Sequence, residues 1–428
     1  MKNDIGYYKV GDRLFGNKYD AVIYAQSKNQ NITWNFFSEI FSKVDWTTEP
    51  ELSLIDLYRI RAKQIREKYD YVIVLCSGGA DSNNVVRTFL DNNIHLDEVI
   101  GIAPMSGLSN WNFNINNFNE DNTISETKFA MFPLFHEVSN RNNKVKITVY
   151  DYFYDALQKK DEQWTYESCG NINTLVTNHL TLSDISKFSH IDSLLQNGKR
   201  IALVYGTDKP VIRIGDSGDM YFVFADAGIN YLGVPESREY PNLDRVLFYW
   251  SPELPELLVK QSHVVAKAAH LPENKHILET LKPSQNLQMA SGTFEDTIFN
   301  SHKTNNPIIS KDEIFKQYIT NGRLNTNLEK FTNKTIYQRL IIPFIYPTTY
   351  TKNLFQCQKV DSDLGFFTRD QDWVHILHKN TKISDMIISG TKLLYDSVSP
   401  RYLNTKGSGF VNFFNMYKFG STKMFNVQ

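Results

Sequence analysis

Apolar residues in this chain gather into short continuous runs separated by segments of helical periodicity. Tyr71–Leu75, then Val99–Ala103 within Asp97–Pro104, and Ile201–Tyr205 within Arg200–Gly206 are runs of strand length and predict buried strands. Lys144–Tyr150 alternates apolar and polar positions and predicts a further strand. Between them, Val85, Val86, Phe89 and Leu90 sit at helical spacing, part of Ser125–Val138 reads as helix, and 171–197 reads as helix with Asn197-Gly198 as its stop. Strands alternating with helices predict an α/β fold, an open parallel sheet with helices on both faces.

The flanking segments are less regular. Tyr19–Ala25 reads as a short strand, and Thr33–Val44 has helical spacing through Trp34, Phe37, Ile40, Phe41 and Val44. Residues 51–69 read as an amphipathic helix, with Leu54, Ile55, Tyr58, Ile65 and Tyr69 on one side and Arg59, Arg61, Lys63, Arg66 and Lys68 elsewhere; the basic residues read as a solvated face. Val211–Gly215 and Met220–Ala225 flank Asp216-Ser-Gly-Asp219 and predict a β-hairpin. Arg245–Trp250 reads as a strand, and Pro252–Lys267 as a helix with proline at its start, on which Lys260 and His263 share an ordinary surface face. Lys311–Ile319 and Ser384–Tyr395 are further helical stretches. The tail interleaves Arg401, Lys406 and Lys418 with Phe410, Phe413, Phe414, Tyr417 and Phe419; such aromatics stack nucleobases in some proteins, but packing onto the domain is the preferred reading. The expected division is a lead-in over 1–66, an α/β domain over 67–270 and a mainly helical region over 271–428.

Composition narrows the functional classes. The chain has 428 residues and a formal net charge of −1, which argues against bulk nucleic-acid binding while leaving room for a local basic groove. A hydrophobic content of 41% supports substantial cores, and no apolar run reaches membrane length. The N-terminus, Met1-Lys-Asn-Asp-Ile-Gly, has no apolar signal region, so a reducing cytoplasm is the expected location. Cys76, Cys169 and Cys357 are far apart in sequence and make no Cys-x-x-Cys, so neither a zinc nor an iron–sulfur site of usual spacing is expected.

The chemistry concentrates after the first buried run, in Ser77-Gly78-Gly79-Ala80-Asp81-Ser82. A strand, a glycine turn and a helix start form an anion cradle: glycines allow close backbone approach, and the first N–H groups of the helix face the ligand. Ser77 and Ser82 add hydroxyl donors. Asp81 would repel a phosphate unless a cation lay between them, so it reads as a ligand to Mg²⁺ or a partner to such a ligand. Ligands of open parallel sheets bind beyond the C-terminal strand ends, where Pro104–Gly107, Asp151 and Gly206-Thr207-Asp208-Lys209-Pro210 also fall. His179 and His190 read as structural histidines, and Cys76 as core.

No Gly-Lys-Ser/Thr follows the glycines, so this is not the Walker pattern. Ser77, Gly78, Gly79, Asp81 and Ser82 instead match Ser-Gly-Gly-x-Asp-Ser, and the segment resembles the PP-loop of the ATP pyrophosphatase superfamily, with Ala80 at the variable place. That superfamily, of the HUP-like fold, includes asparagine synthetase, the queuosine-pathway nitrile synthase and the PAPS reductases. The resemblance implies ATP and Mg²⁺ as cofactors, with Ser77, Gly78, Gly79, Ser82, Gly206 and Thr207 around the nucleotide. Asp81 and Asp208 would share the metal, and Asp81 and Lys209 would act catalytically, Lys209 neutralising the leaving pyrophosphate. Gly206–Pro210 equally suits an ordinary proline-terminated turn.

The implied reaction forms an adenylate on a carbonyl or carboxylate oxygen, releases pyrophosphate, and lets an amine or ammonia displace AMP. Position two is Lys2, and no cysteine precedes Cys76, so an N-terminal glutaminase domain of the asparagine-synthetase kind is not expected. Sulfur transfer is disfavoured by the lack of paired cysteines. The acceptor is a small molecule or a nucleic acid, and the alternatives are a PAPS reductase-like enzyme, an RNA- or nucleobase-modifying enzyme, and a catalytically silent nucleotide-binding module. The abundance of Asn, Lys, Ile, Tyr and Phe suits an AT-rich coding sequence such as a phage's.

Overall fold

The computed structural model describes residues 5–103, 105, 127–151, 158, 188–206, 211–226, 240–274, 344–346, 381–403 and 413–425. The lead-in forms a small antiparallel sheet of Tyr7–Val10 (β1), Arg13–Phe15 (β2) and Thr33–Asn35 (β3), in the order β2-β1-β3. Two expectations fail here. Lys18–Lys28 is a helix (α1), not a strand over Tyr19–Ala25. Its apolar residues Ala21, Val22 and Ala25 lie on one helical face, and Asn17 caps it by accepting from the Asp20 amide at 3.1 Å. Thr33–Val44 is not one helix either: β3 comes first and only Ser38–Phe41 (α2) is helical. The break is local chemistry, because the Asn35 side chain accepts from the Ser38 amide and Phe37 adopts a left-handed φ of 52°.

Leu54–Lys68 (α3) is helical as expected, capped by Ser53. Its basic side is not simply solvated. Arg61 is buried and binds Glu253 and the Leu247 carbonyl, and Arg66 pairs with Asp97, while Ile55 from the expected apolar side is exposed.

The central sheet contains Tyr71–Leu75 (β4), Glu98–Ala103 (β5), Lys146–Asp151 (β6), Ile201–Tyr205 (β7) and Leu243–Leu247 (β10). All pairings are parallel, in the order β10-β7-β4-β5-β6. Nearly every residue of β4, β5 and β7 is buried, so both faces of the sheet are covered. The chain runs outward from β4 to β5 and β6, then returns to the other side of β4 for β7. Strand order therefore reverses between β4 and β7, and such a switch point opens a crevice at the C-terminal ends. Ala80–Asp91 (α4) follows β4 and packs against α3, and Phe132–Arg141 (α5) follows β5 and packs against α4. Ser189–Gln196 (α6) leads into β7. His190 binds the buried Glu98 carboxylate at 2.9 Å, at the sheet edge away from the crevice, which fits a structural histidine.

The expected hairpin forms from Val211–Ile214 (β8) and Asp219–Ala225 (β9). Phe414–Ser421 (β11) joins it from the far end of the chain, in the order β11-β9-β8. Phe224 of β9 meets Phe36, Phe41, Trp250 and Tyr417 with ring centroids 4.7–5.9 Å apart, so lead-in, α/β segment and tail share one aromatic core. The tail aromatics pack: Tyr417 stacks on Trp46 at 5.0 Å, and Phe419 lies 5.6 Å from His263. Beneath them, Lys18 and Asp226 form a wholly buried ion pair of 2.7 Å. Thr381–Ser397 (α8) is the longest described element of the C-terminal region.

Pro255–His270 (α7) carries Lys260 and His263, of which His263 is buried and Lys260 only partly exposed. Lys260 donates to the Pro50 carbonyl at 2.9 Å and pairs with Glu49, while His263 Nε2 lies 2.9 Å from the Trp46 carbonyl. Burial holds the His263 pKa below its ordinary 6.5, against the opposing pull of the Trp46 carbonyl. The unfolded chain therefore binds the proton more readily than the folded one. His263 should leave stability unaffected above about pH 6.5 and lower it as pH falls through its folded pKa. Urea midpoints measured from pH 7.5 to 5 should fall in the wild type and fall less in His263→Gln.

Candidate functional site

β4 ends at Leu75, which pairs with Tyr205 at the end of β7, so the loop after β4 and Gly206 after β7 emerge side by side. The loop turns at Gly78, whose φ is +86°. A β-carbon there would lie 2.2 Å from the Met131 nitrogen and 2.5 Å from the Ala130 carbonyl carbon. Both belong to Thr127–Met131, a π-helical turn that leads into α5. Gly78 thus meets a need for left-handed backbone and for close approach to another main chain. Gly79 is the N-cap of the twelve-residue helix α4 and, having no side chain, makes no side-chain capping bond. Gly206 completes the ring: a β-carbon there would lie 2.9 Å from both the nitrogen and Cα of Ser82.

The hydroxyls point into this ring. Ser77 Oγ accepts from the Gly79 amide at 3.3 Å and lies 3.5 Å from Ser82 Oγ, which donates to the Gly79 carbonyl at 3.3 Å. Cys76 is buried behind the loop, its thiol 3.6 Å from Ser82 Oγ, as expected for a core residue.

Asp81 sits in the first turn of α4, where the helix dipole favours its charge. Tyrosines hold it on two sides. Tyr346 donates its hydroxyl to Asp81 Oδ1 at 2.5 Å from 265 residues downstream, and Tyr249 donates to the Asp81 main-chain carbonyl at 2.7 Å. Asn84 in turn donates to the Tyr249 oxygen at 3.0 Å. Burial, reinforced by the nearby Asp81 carboxylate, pushes the Tyr346 and Tyr249 phenols well above their ordinary value, so both remain donors at neutral pH.

Ser77, Gly78, Gly79, Asp81, Ser82 and Gly206 are therefore brought together. Asp151 ends β6, on the far side of β5 from the loop. Thr207, Asp208 and Lys209 lie outside the described residues, as do Pro104, Gly107 and His179. Tyr249, Tyr346, Asn84 and the π-helical turn were not anticipated. Phe248-Tyr249-Trp250 reads locally as the end of a strand, and nothing in the neighbourhood of Tyr346 points to a partner so distant in sequence. Among the described residues no three His, Cys, Asp or Glu side chains converge as a metal cluster. Neither the protein-family models nor the curated proteins offer a match to this chain.

Proposed function

We propose that the Ser77–Ser82 loop binds the β,γ-pyrophosphate of ATP with Mg²⁺, and that the protein cleaves ATP to AMP and pyrophosphate to activate a carbonyl or carboxylate for amide or nitrogen transfer. The observation that carries this reading is the glycine turn itself. Gly78 at φ +86° and a glycine cap at Gly79 that makes no side-chain capping bond put a helix N-terminus at the strand-order switch, where an anion with several oxygens would meet main-chain donors. The resemblance to Ser-Gly-Gly-x-Asp-Ser supplies the nucleotide and the type of cleavage.

The residues suit the proposed ligands. A cation bound by one carboxylate and by phosphate oxygens is the usual arrangement for Mg²⁺, and a protein cluster of acids is not required. Asp81 would hold it, with Asp208 as the expected second carboxylate. When bound, Mg²⁺ would offset the charge of the triphosphate. Gly78 and Gly79 would admit the phosphates to the backbone, Ser77 would donate its hydroxyl, and Ser82 would do so by turning its hydrogen from the Gly79 carbonyl. Lys209, following β7, is the proposed partner of the leaving group. The acceptor oxygen attacks the α-phosphorus, the bond to the bridging oxygen breaks, and pyrophosphate leaves with the electron pair. The nucleophile then displaces AMP. The work left to the protein is positioning and charge compensation.

A nucleic-acid acceptor gathers no support from Tyr417 and Phe419, which are engaged in packing. No helix among the described residues is long and apolar enough to cross a membrane. Calorimetric titration tests the reading. Mg·ATP should bind the wild type, pyrophosphate should compete and AMP should compete poorly. Asp81→Asn should weaken the Mg²⁺-dependent part about 10- to 100-fold, as loss of a carboxylate ligand or its close partner does. Competition by AMP but not by pyrophosphate would overturn it.

A further inference from the structure

Asp81, in the first turn of α4, is hydrogen-bonded through both its side chain and its main-chain carbonyl. Two hydrogen-bond relays end on it. In one, Gln261 donates to the Tyr58 oxygen at 3.1 Å, Tyr58 donates to the Ile345 carbonyl at 2.8 Å, and the adjacent Tyr346 donates to Asp81 Oδ1 at 2.5 Å. In the other, Asn84 donates to Tyr249, which donates to the Asp81 main-chain carbonyl. The three rings pack on one another, Tyr249 lying 5.3 Å from Tyr346 and 5.7 Å from Tyr58. Ile345 and Tyr346 are fully buried, whereas Phe344 beside them is 42% exposed.

We infer that Tyr346 is a positioning residue for a divalent cation: its hydroxyl fixes the rotation of the Asp81 carboxylate so that this group ligates the metal of a bound metal–nucleotide complex. The inference rests on the nucleotide reading above and assigns the tyrosine relay a role in it. A carboxylate has two oxygens and about four acceptor sites, so a bond from Tyr346 is compatible with metal ligation. Ligating carboxylates are characteristically oriented by such outer hydrogen bonds, whose loss weakens metal binding 10- to 100-fold. Tyr58 acts one step further out, by setting the position of the Ile345 carbonyl and with it the reach of Tyr346. Cation affinity at the loop thereby depends on a segment of the C-terminal region.

The test uses the full chain, Mn²⁺ as the probe and α,β-methylene-ATP as an uncleavable nucleotide. Bound Mn²⁺ is measured by the loss of its free electron paramagnetic resonance signal. Tyr346→Phe keeps the ring and removes the hydroxyl. It should weaken Mn²⁺ binding about 10-fold and leave nucleotide affinity in excess chelator within twofold. In an Asp81→Asn background the same substitution should have almost no further effect, because the two act through one carboxylate. Tyr58→Phe should shift Mn²⁺ affinity in the same direction by less, and it carries the test if Tyr346→Phe does not fold. Unchanged Mn²⁺ affinity in a folded Tyr346→Phe protein, or equal losses with and without metal, would overturn the inference while leaving the nucleotide reading intact. Failure of the wild type to retain Mn²⁺ with the nucleotide would overturn both.

Discussion

Gly78→Ala is expected to abolish measurable ATP binding and to destabilise the protein by about 2–5 kcal/mol. Two costs add. An L-residue held in left-handed backbone costs roughly 1–2 kcal/mol. The new methyl would also lie 2.2 Å from the Met131 nitrogen and 2.5 Å from Met131 Cα, and neither atom can swing aside as a flexible side chain would. Either the loop or the π-helical turn must move, at a typical overpacking cost of about 1–3 kcal/mol. A shift of the loop would also carry the main-chain donors away from the proposed anion. ATP affinity should fall at least about 100-fold, equivalent to about 2.7 kcal/mol. Gly198→Ala is the control: its φ is +73°, yet no atom lies within 4 Å of the added methyl. It should show a conformational cost of about 1 kcal/mol and unchanged ATP affinity. Urea denaturation and calorimetry on both variants separate the effects, and a Gly78→Ala protein that binds ATP normally would refute the loop geometry.

Lys18→Met is the second large effect, at about 3–5 kcal/mol of destabilisation. Lys18 and Asp226 have no exposed side-chain surface, and Asp226 also accepts from the Tyr8 hydroxyl at 3.0 Å and the Phe413 amide at 2.8 Å. These bonds tie α1, β1, the end of β9 and the approach to β11 to one carboxylate. Removing the ammonium leaves that carboxylate charged in an aromatic environment, with Phe413 5.3 Å from where the ammonium stood. Adding Asp226→Asn should recover a large part of the loss. The amide is neutral, and its oxygen still accepts from the Phe413 N–H. The sign of that second step is the informative result. A double variant less stable than Lys18→Met alone would mean that the pair does not behave as a buried charge pair. Urea midpoints of the wild type, the single variant and the double variant measure it.

The strands at the heart of the sheet were legible because burial on both faces demands an unbroken apolar run, as in Tyr71–Leu75 and Ile201–Tyr205. The hairpin was legible from Asp216-Ser-Gly-Asp219, whose glycine takes a φ of +81°. The lead-in was misread because its cues are short-range and polar. Asn17 and Asp20 mark a helix start more strongly than the following apolar residues mark a strand, and Asn35 ends β3 by bonding to Ser38. The reading of Lys260 and His263 as surface residues failed for a different reason. Their partners, Pro50, Glu49 and Trp46, are more than 200 residues away in sequence, and local periodicity carries no trace of them.

The candidate site divides in the same way. Ser77, Gly78, Gly79, Asp81 and Ser82 stood out in the sequence as a candidate loop because a phosphate cradle needs small residues and donors at fixed offsets along one turn. Tyr249 and Tyr346 could not, because their role depends on tertiary contact with Asp81 and not on any spacing along the chain. Strand β11 has the same character. Its aromatic and basic residues allow either packing or base stacking, and only its pairing with β9 shows that Tyr417 and Phe419 are committed to the core.

Product analysis with ATP labelled separately at the α- and γ-phosphates tests the central claim most directly. The protein is incubated with Mg²⁺ and a small-molecule extract supplying candidate acceptors, beside an Asp81→Ala control. Labelled AMP from the α-position and labelled pyrophosphate from the γ-position, both lost in the control, are the predicted result. Labelled ADP and inorganic phosphate would contradict it.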